Sequence, residues 1–155
     1  MMKKIVTHSG IFHADDVFAT AMLQIIHPQI NIERVRQVEE KDLEDNTVYV
    51  IDVGCRCESL DNNYDHHQSK EYQKASAGLV WYEVGTDIIS NYVREVDEND
   101  HEFHVHIKER VYENLLRSVD LTDLGKLKAE KPLVSISQII SGFNPVDANA
   151  TEDDR

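Results

Sequence analysis

Val48-Tyr49-Val50-Ile51-Asp52-Val53 is a run of β-favouring side chains broken only by a carboxylate near its end. Apolar residues without polar alternation mark a central parallel strand covered on both faces. Upstream, Lys3-Lys4-Ile5-Val6-Thr7 reads as a short first strand, and its carboxyl end is expected beside that of Val48–Val53. Between them, Asp16 to Ile26 is apolar nearly all round and predicts a buried helix, stopped before Pro28. Asp15 or Asp16 is a natural N-cap for it. Ile30 to Val35 alternates in part and predicts an edge strand. Strand, helix, strand, strand at these spacings gives an α/β fold with a mainly parallel sheet flanked by helices.

Beyond Tyr64-Asp65-His66-His67 the chain turns helical. Ser76 can cap a helix to about Val93, with Trp81, Val84, Ile88, Ile89, Tyr92 and Val93 on its inner face. An acidic loop from Glu95 to Glu102 separates it from a second helix, His104 to Val119. A third short helix, Val134 to Gly142, ends before Asn144-Pro145. The reading is one domain over residues 1–145, then an acidic tail or cut linker over 146–155.

The chain has 155 residues and a formal net charge of −13, which disfavours coating duplex nucleic acid through bulk charge. A local site carrying metal ions remains compatible with it. No apolar run reaches the ~18 residues of a membrane span, and Met1 to His8 turns polar too early for a secretory leader. Two cysteines two residues apart, Cys55 and Cys57, make no disulfide scaffold and point to a reducing, cytoplasmic setting.

The chemistry collects at the carboxyl ends of strands, where α/β proteins place their sites. His8, His13 and Asp15 follow the first strand, and Asp52 ends the central one. Asp65-His66-His67 comes next, and Asp120 and Asp123 close a helix. Mixed imidazole and carboxylate donors suit Mn²⁺, Fe²⁺, Zn²⁺ or Mg²⁺. Each residue alone has an ordinary reading: a surface histidine, a helix cap, an Asx turn. Together they occupy the positions a single crevice would use. Cys55 and Cys57, and the set His101, His104 and His106, read as turn thiols and a solvated helix start. Lys70, Lys74 and Arg56 lie near the motifs and are the cations available to a phosphate chain.

The order of motifs resembles the melanocyte-proliferating-gene family, a branch of the DHH phosphoesterases. Thr7-His8-Ser9-Gly10-Ile11-Phe12-His13-Ala14-Asp15-Asp16 is similar to its first motif and Asp52-Val53-Gly54 to its second. Tyr64-Asp65-His66-His67-Gln68 matches the triplet that names the superfamily. Ser76 to Val80, Val119 to Asp123 and Ser137 to Pro145 resemble later stretches. The resemblance implies an N-terminal domain with two divalent ions, Mn²⁺ favoured, and a second domain that grips substrate. This chain ends near where that domain would begin, so the expectation is a cut piece or a short natural form. It also implies roles: His8 and His13 on one ion, Asp15 on the other, Asp52 bridging, and His66 and Asp120 completing the ligand set of the second ion. Asp65 would orient His66, His67 would face the phosphate or leaving group, and Lys70 and Arg56 would contact substrate. Two ions about 3.5–4 Å apart can activate a water and clamp attacking and leaving oxygens.

The expected function is therefore two-metal phosphohydrolysis, 3′-to-5′ exonuclease-like, on RNA or short oligonucleotides. The alternatives are a small-molecule phosphohydrolase acting on pyrophosphate or a nucleotide, and a metal-bound domain without catalysis. No membrane partner is expected, and a homo-oligomer is compatible with all three.

Overall fold

The computed structural model describes residues 2–92, 101–127 and 135–144. Five strands form one sheet in the order β2-β1-β3-β5-β4: β1 Lys4–His8, β2 Asn31–Val35, β3 Val48–Ile51, β4 Cys57–Glu58 and β5 Asn63–Tyr64. All neighbours run parallel except β4 and β5. β1 and β3 are adjacent, with Thr7 opposite Ile51, so the next residues, His8 and Asp52, leave the sheet side by side. The mostly parallel α/β fold is as the sequence predicts, and β2 is the edge strand.

Alternation of side chains sorts β1 and β3 onto two faces. Ile5, Tyr49 and Ile51 join the main core under α1 (Ala14–Ile26) and α3 (Ser76–Tyr92). Val6, Val48 and Val50 pack with Leu43 of α2 (Glu40–Leu43) on the other. α1 is less enclosed than its composition predicts: Ala14, Ala19, Met22 and Leu23 are buried, whereas Ile25 is 40% exposed. On α3, Trp81, Val84, Ile88 and Ile89 face inward as expected, but Tyr92 in its last turn is exposed.

The second long helix is three pieces in series. α4 (His101–Val111) runs into a π-helical turn (Tyr112–Leu116), then α5 (Arg117–Asp123). α6 (Ile136–Ser141) is capped by Ser135, whose hydroxyl accepts the Gln138 N–H while the Gln138 side chain accepts the Ser135 N–H. Just past it, the Asn144 side chain clasps the backbone of Phe12, accepting its N–H at 2.6 Å and donating to its carbonyl at 2.9 Å. Most of the acidic loop and the tail after Asn144 lie outside the described residues. Among the described residues no helix is long and apolar enough to cross a membrane.

Candidate metal centre

His8 ends β1. Its Nδ1 lies 3.0 Å from the Ser9 carbonyl, which turns Nε2 into the molecule. Nε2 is 3.4 Å from Asp52 Oδ2 and 3.5 Å from Asp16 Oδ2, yet it is buried without a hydrogen-bond partner among the described residues. The His8 pKa is pushed up to about 9, first by Asp52, with Asp16 adding to it. Asp52 is buried and sits at φ 56°, a left-handed conformation that Asp and Asn adopt more readily than other side chains. That turn at the strand end carries its carboxylate across the crevice.

Asp15 and Asp16 are not the cap of their own helix. His13 is the N-cap residue of α1, and Asp16 Oδ1 accepts its N–H at 2.8 Å from inside the first turn. Asp15 is fully buried and instead caps α3, accepting the N–H groups of Ser76 at 2.9 Å and Ala77 at 2.7 Å. Burial, then the charges of Asp52 and Asp123, hold its pKa well above the ordinary carboxylate value. Burial likewise raises Asp16. This is a crowded anionic cluster whose strain a cation would relieve.

The two histidines after β5 take different partners. His66 is buried, with Nε2 at 2.9 Å from Asp123 Oδ2 and Nδ1 at 3.6 Å from Asp52 Oδ1 and 4.0 Å from Asp15 Oδ2. Burial opposes its charge, but Asp123, Asp15 and Asp52 outweigh it and raise its pKa. Asp65, expected beside His66, bonds His67 instead. Its Oδ1 meets His67 Nδ1 at 2.6 Å and the His67 N–H at 3.0 Å, and its Oδ2 accepts the Cys55 N–H at 2.6 Å. The two rings stack with centroids 4.4 Å apart, and the turn that begins at His67 brings its Nδ1, rather than a nitrogen of His66, onto the carboxylate. Burial alone would raise Asp65; the three bonds overcome it and lower its pKa.

Asp120 and Asp123 divide in the same way. Asp120 is fully buried against α3: it accepts the Gly78 N–H at 3.0 Å and the Tyr112 hydroxyl at 3.0 Å, and burial lifts its pKa to about 6. One turn later, Asp123 is the carboxylate that reaches His66. Among the described residues, donor atoms within 4.8 Å of one another form three groups: His8, His13 and Asp52; Asp15, Asp52, His66 and Asp123; and Asp52, Asp65, His66 and His67. Asp52 belongs to all three, and Asp120 to none. Cys55, Cys57, His104 and His106 stand outside them as well. Arg56 is turned to Glu40 at 2.8 Å, and Lys70 is exposed. A cavity of about 210 Å³ opens over His13, Asp15 and Asp123, walled by Phe12, Thr122 and Ser137.

The model of a family described as "Uncharacterised protein family (UPF0160)", MYG1_exonuc, matches residues 4–155. The chain belongs to the MYG1 family. It is similar to the MYG1 protein of Saccharomyces cerevisiae, 31% identical over 94% of this chain and 48% of the yeast protein. The MYG1 protein of Chlamydia muridarum is 28% identical over 97% of this chain and 48% of its own length. The MYG1 exonuclease of Mus musculus is 29% identical over 79% of this chain and 35% of the mouse protein. The chain thus spans half or less of the length of these MYG1 relatives. No solved structure matches it.

Proposed function

We propose that residues 1–145 form the metal-holding domain of a phosphoesterase of the DHH type, which hydrolyses phosphodiester bonds of RNA or short oligonucleotides from the 3′ end. The observation that carries this reading is Asp52, the one carboxylate common to all three donor groups. A carboxylate has two oxygens and can serve two ions at once. The names of the mouse and rat relatives, MYG1 exonuclease, support the same reaction class.

The donors present fit such ions. The buried, unbonded Nε2 of His8 faces two carboxylates, and the set of imidazoles and carboxylates is that of Mn²⁺, Mg²⁺, Fe²⁺ or Zn²⁺ sites. His8, His13 and Asp52 would hold one ion; Asp15, Asp52, His66 and Asp123 would hold the other. When bound, a pair of divalent ions supplies Lewis acidity and a nucleophilic water at neutral pH. His67 is exposed, and its Nδ1 is held by Asp65. That fixes the ring, whose other nitrogen would give a proton to a leaving oxygen. Asp65, its pKa lowered, keeps its charge beside that ring.

The net charge of −13 favours a second reading, a small phosphate ester or pyrophosphate, because two divalent ions offset only four of those charges. A short RNA and pyrophosphate, each offered with Mn²⁺, separate the two. Release of mononucleotides supports the proposal. Pyrophosphate cleavage alone supports the second reading. Two bound ions with neither activity leaves a metal-holding domain and refutes both.

A further inference from the structure

On the outer side of α3 lies a cleft of about 320 Å³ whose walls include Lys74, Trp81, Tyr82, Lys108 and Tyr112. That is within the range of small-ligand sites, about 300–1,000 Å³. Tyr82 is 66% exposed. Cations flank it: Lys108 Nζ is 4.9 Å and Lys74 Nζ 5.7 Å from the Tyr82 ring centre, and Lys74 Nζ is 5.3 Å from that of Tyr112. Lys74 and Tyr82 also border a second cleft of about 260 Å³, toward Cys57 and Tyr64. They therefore form a ridge with a hollow on each side. Glu109 and Glu113 wall the far side of the first cleft, and Glu113 is paired with Arg117 at 2.8 Å.

The cleft is joined to the metal centre through α3. Gly78, on its wall, donates its N–H to Asp120. Ser76, two residues beyond Lys74, has its hydroxyl 3.4 Å from Asp52 Oδ1. An exposed aromatic face with cations at its edge is the equipment of a single-strand nucleic-acid groove. Two adjoining hollows suit successive unpaired bases.

We propose that this groove holds the bases of a single-stranded oligonucleotide, one stacked on Tyr82, with the connecting phosphate on Lys74 and Lys108. The proposal rests on the phosphodiesterase reading for the use of the groove, but its occupancy is measurable apart from turnover. Trp81 is the single tryptophan of the chain and lines the cleft, so its fluorescence reports what enters.

The experiment titrates the protein in Mg²⁺ with a four-nucleotide oligoadenylate, AMP, and ribose 5-phosphate, following Trp81 emission. Oligoadenylate hydrolysis in Mn²⁺ and Mn²⁺ stoichiometry are measured on the same preparations. The oligoadenylate and AMP should quench saturably and ribose 5-phosphate should not. Tyr82→Ala should weaken oligoadenylate binding about tenfold, since one base–aromatic stack carries that much. Lys74→Gln should weaken it and flatten its salt dependence. Both variants should bind Mn²⁺ as wild type does. Equal quenching by ribose 5-phosphate, or unchanged affinity in Tyr82→Ala, overturns the proposal. No release of mononucleotides by wild type, with quenching intact, overturns the phosphodiesterase reading instead and leaves the groove standing.

Discussion

Gly78→Ala tests whether the fold is built around the candidate centre. Alanine favours a helix over glycine by about 1 kcal/mol, so an unobstructed site would be stabilised. Here the added Cβ would stand 2.0 Å from Asp120 Oδ2 and 2.8 Å from its Cγ. The obstruction is a fully buried carboxylate, not the free end of a flexible chain. Forcing atoms into such a site costs about 1–3 kcal/mol. Driving Asp120 off the Gly78 N–H loses a bond to a charged acceptor, about 1.5–3 kcal/mol. The clash outweighs propensity, and the net loss is about 3 kcal/mol. For a chain of this size that lowers Tm by about 6–12 °C, read by circular dichroism. Asp120 begins the turn that carries Asp123 to His66, so Mn²⁺ affinity should fall as well. Asp120→Ala removes the obstruction, and the double variant should be less destabilised than the two single losses added together. A Gly78→Ala protein that melts a few degrees above wild type would refute the packing described for α3 and α5.

Asp52→Asn should keep the left-handed turn, which Asn tolerates, while both ions bind more weakly and hydrolysis falls by several orders of magnitude; wild-type turnover in saturating Mn²⁺ would sink the bridging role. Asp123→Asn should weaken metal binding at little expense of stability, and Asp120→Asn should do the reverse, by calorimetric titration and melting respectively. The metal-free protein should lose stability as pH rises. Asp15, Asp16 and Asp120 have raised folded pKa values, so their contribution is full below 3.8 and is lost above it, through about 6 for Asp120. For His8 it is full below 6.5 and is lost as pH passes about 9. Saturating Mn²⁺ should flatten or reverse this slope, because ions and protons compete for the same donors; a chelated sample whose Tm climbs between those limits contradicts the cluster. EDTA should lower Tm at neutral pH, by an amount set by how far the free ion exceeds its dissociation constant.

The strand Val48–Ile51 is legible in the sequence as an unbroken apolar run, and the helices Ala14–Ile26 and Ser76–Tyr92 because each is long enough to show its pattern. β4 and β5 are two residues each, too short to show one. The adjacency of His8 and Asp52 comes from parallel pairing and is legible too. The role of Asp15 is not: its partners Ser76 and Ala77 are 61 and 62 residues away, and no local pattern encodes such a cap. Asp120 and Asp123 look equivalent in sequence. The π-helical turn before α5 holds an extra residue, which rotates the rest of the helix by about 100°. That phase decides which carboxylate faces His66, and nothing in the spacing Asp120-Leu121-Thr122-Asp123 announces it. The partner of Asp65 is hidden as well: which of the adjacent His66 and His67 it meets is set by the turn that begins at His67.

The clasp between Phe12 and Asn144 sets an order in time. The two residues are 132 positions apart. A chain emerging at about 5–20 residues per second delivers Asn144 roughly 7–26 s after Phe12. Until then the loop bearing His13 has its strand and helix but not the side chain that ties it down. Synthesis thus makes the first part of the crevice to be translated the last to be fastened.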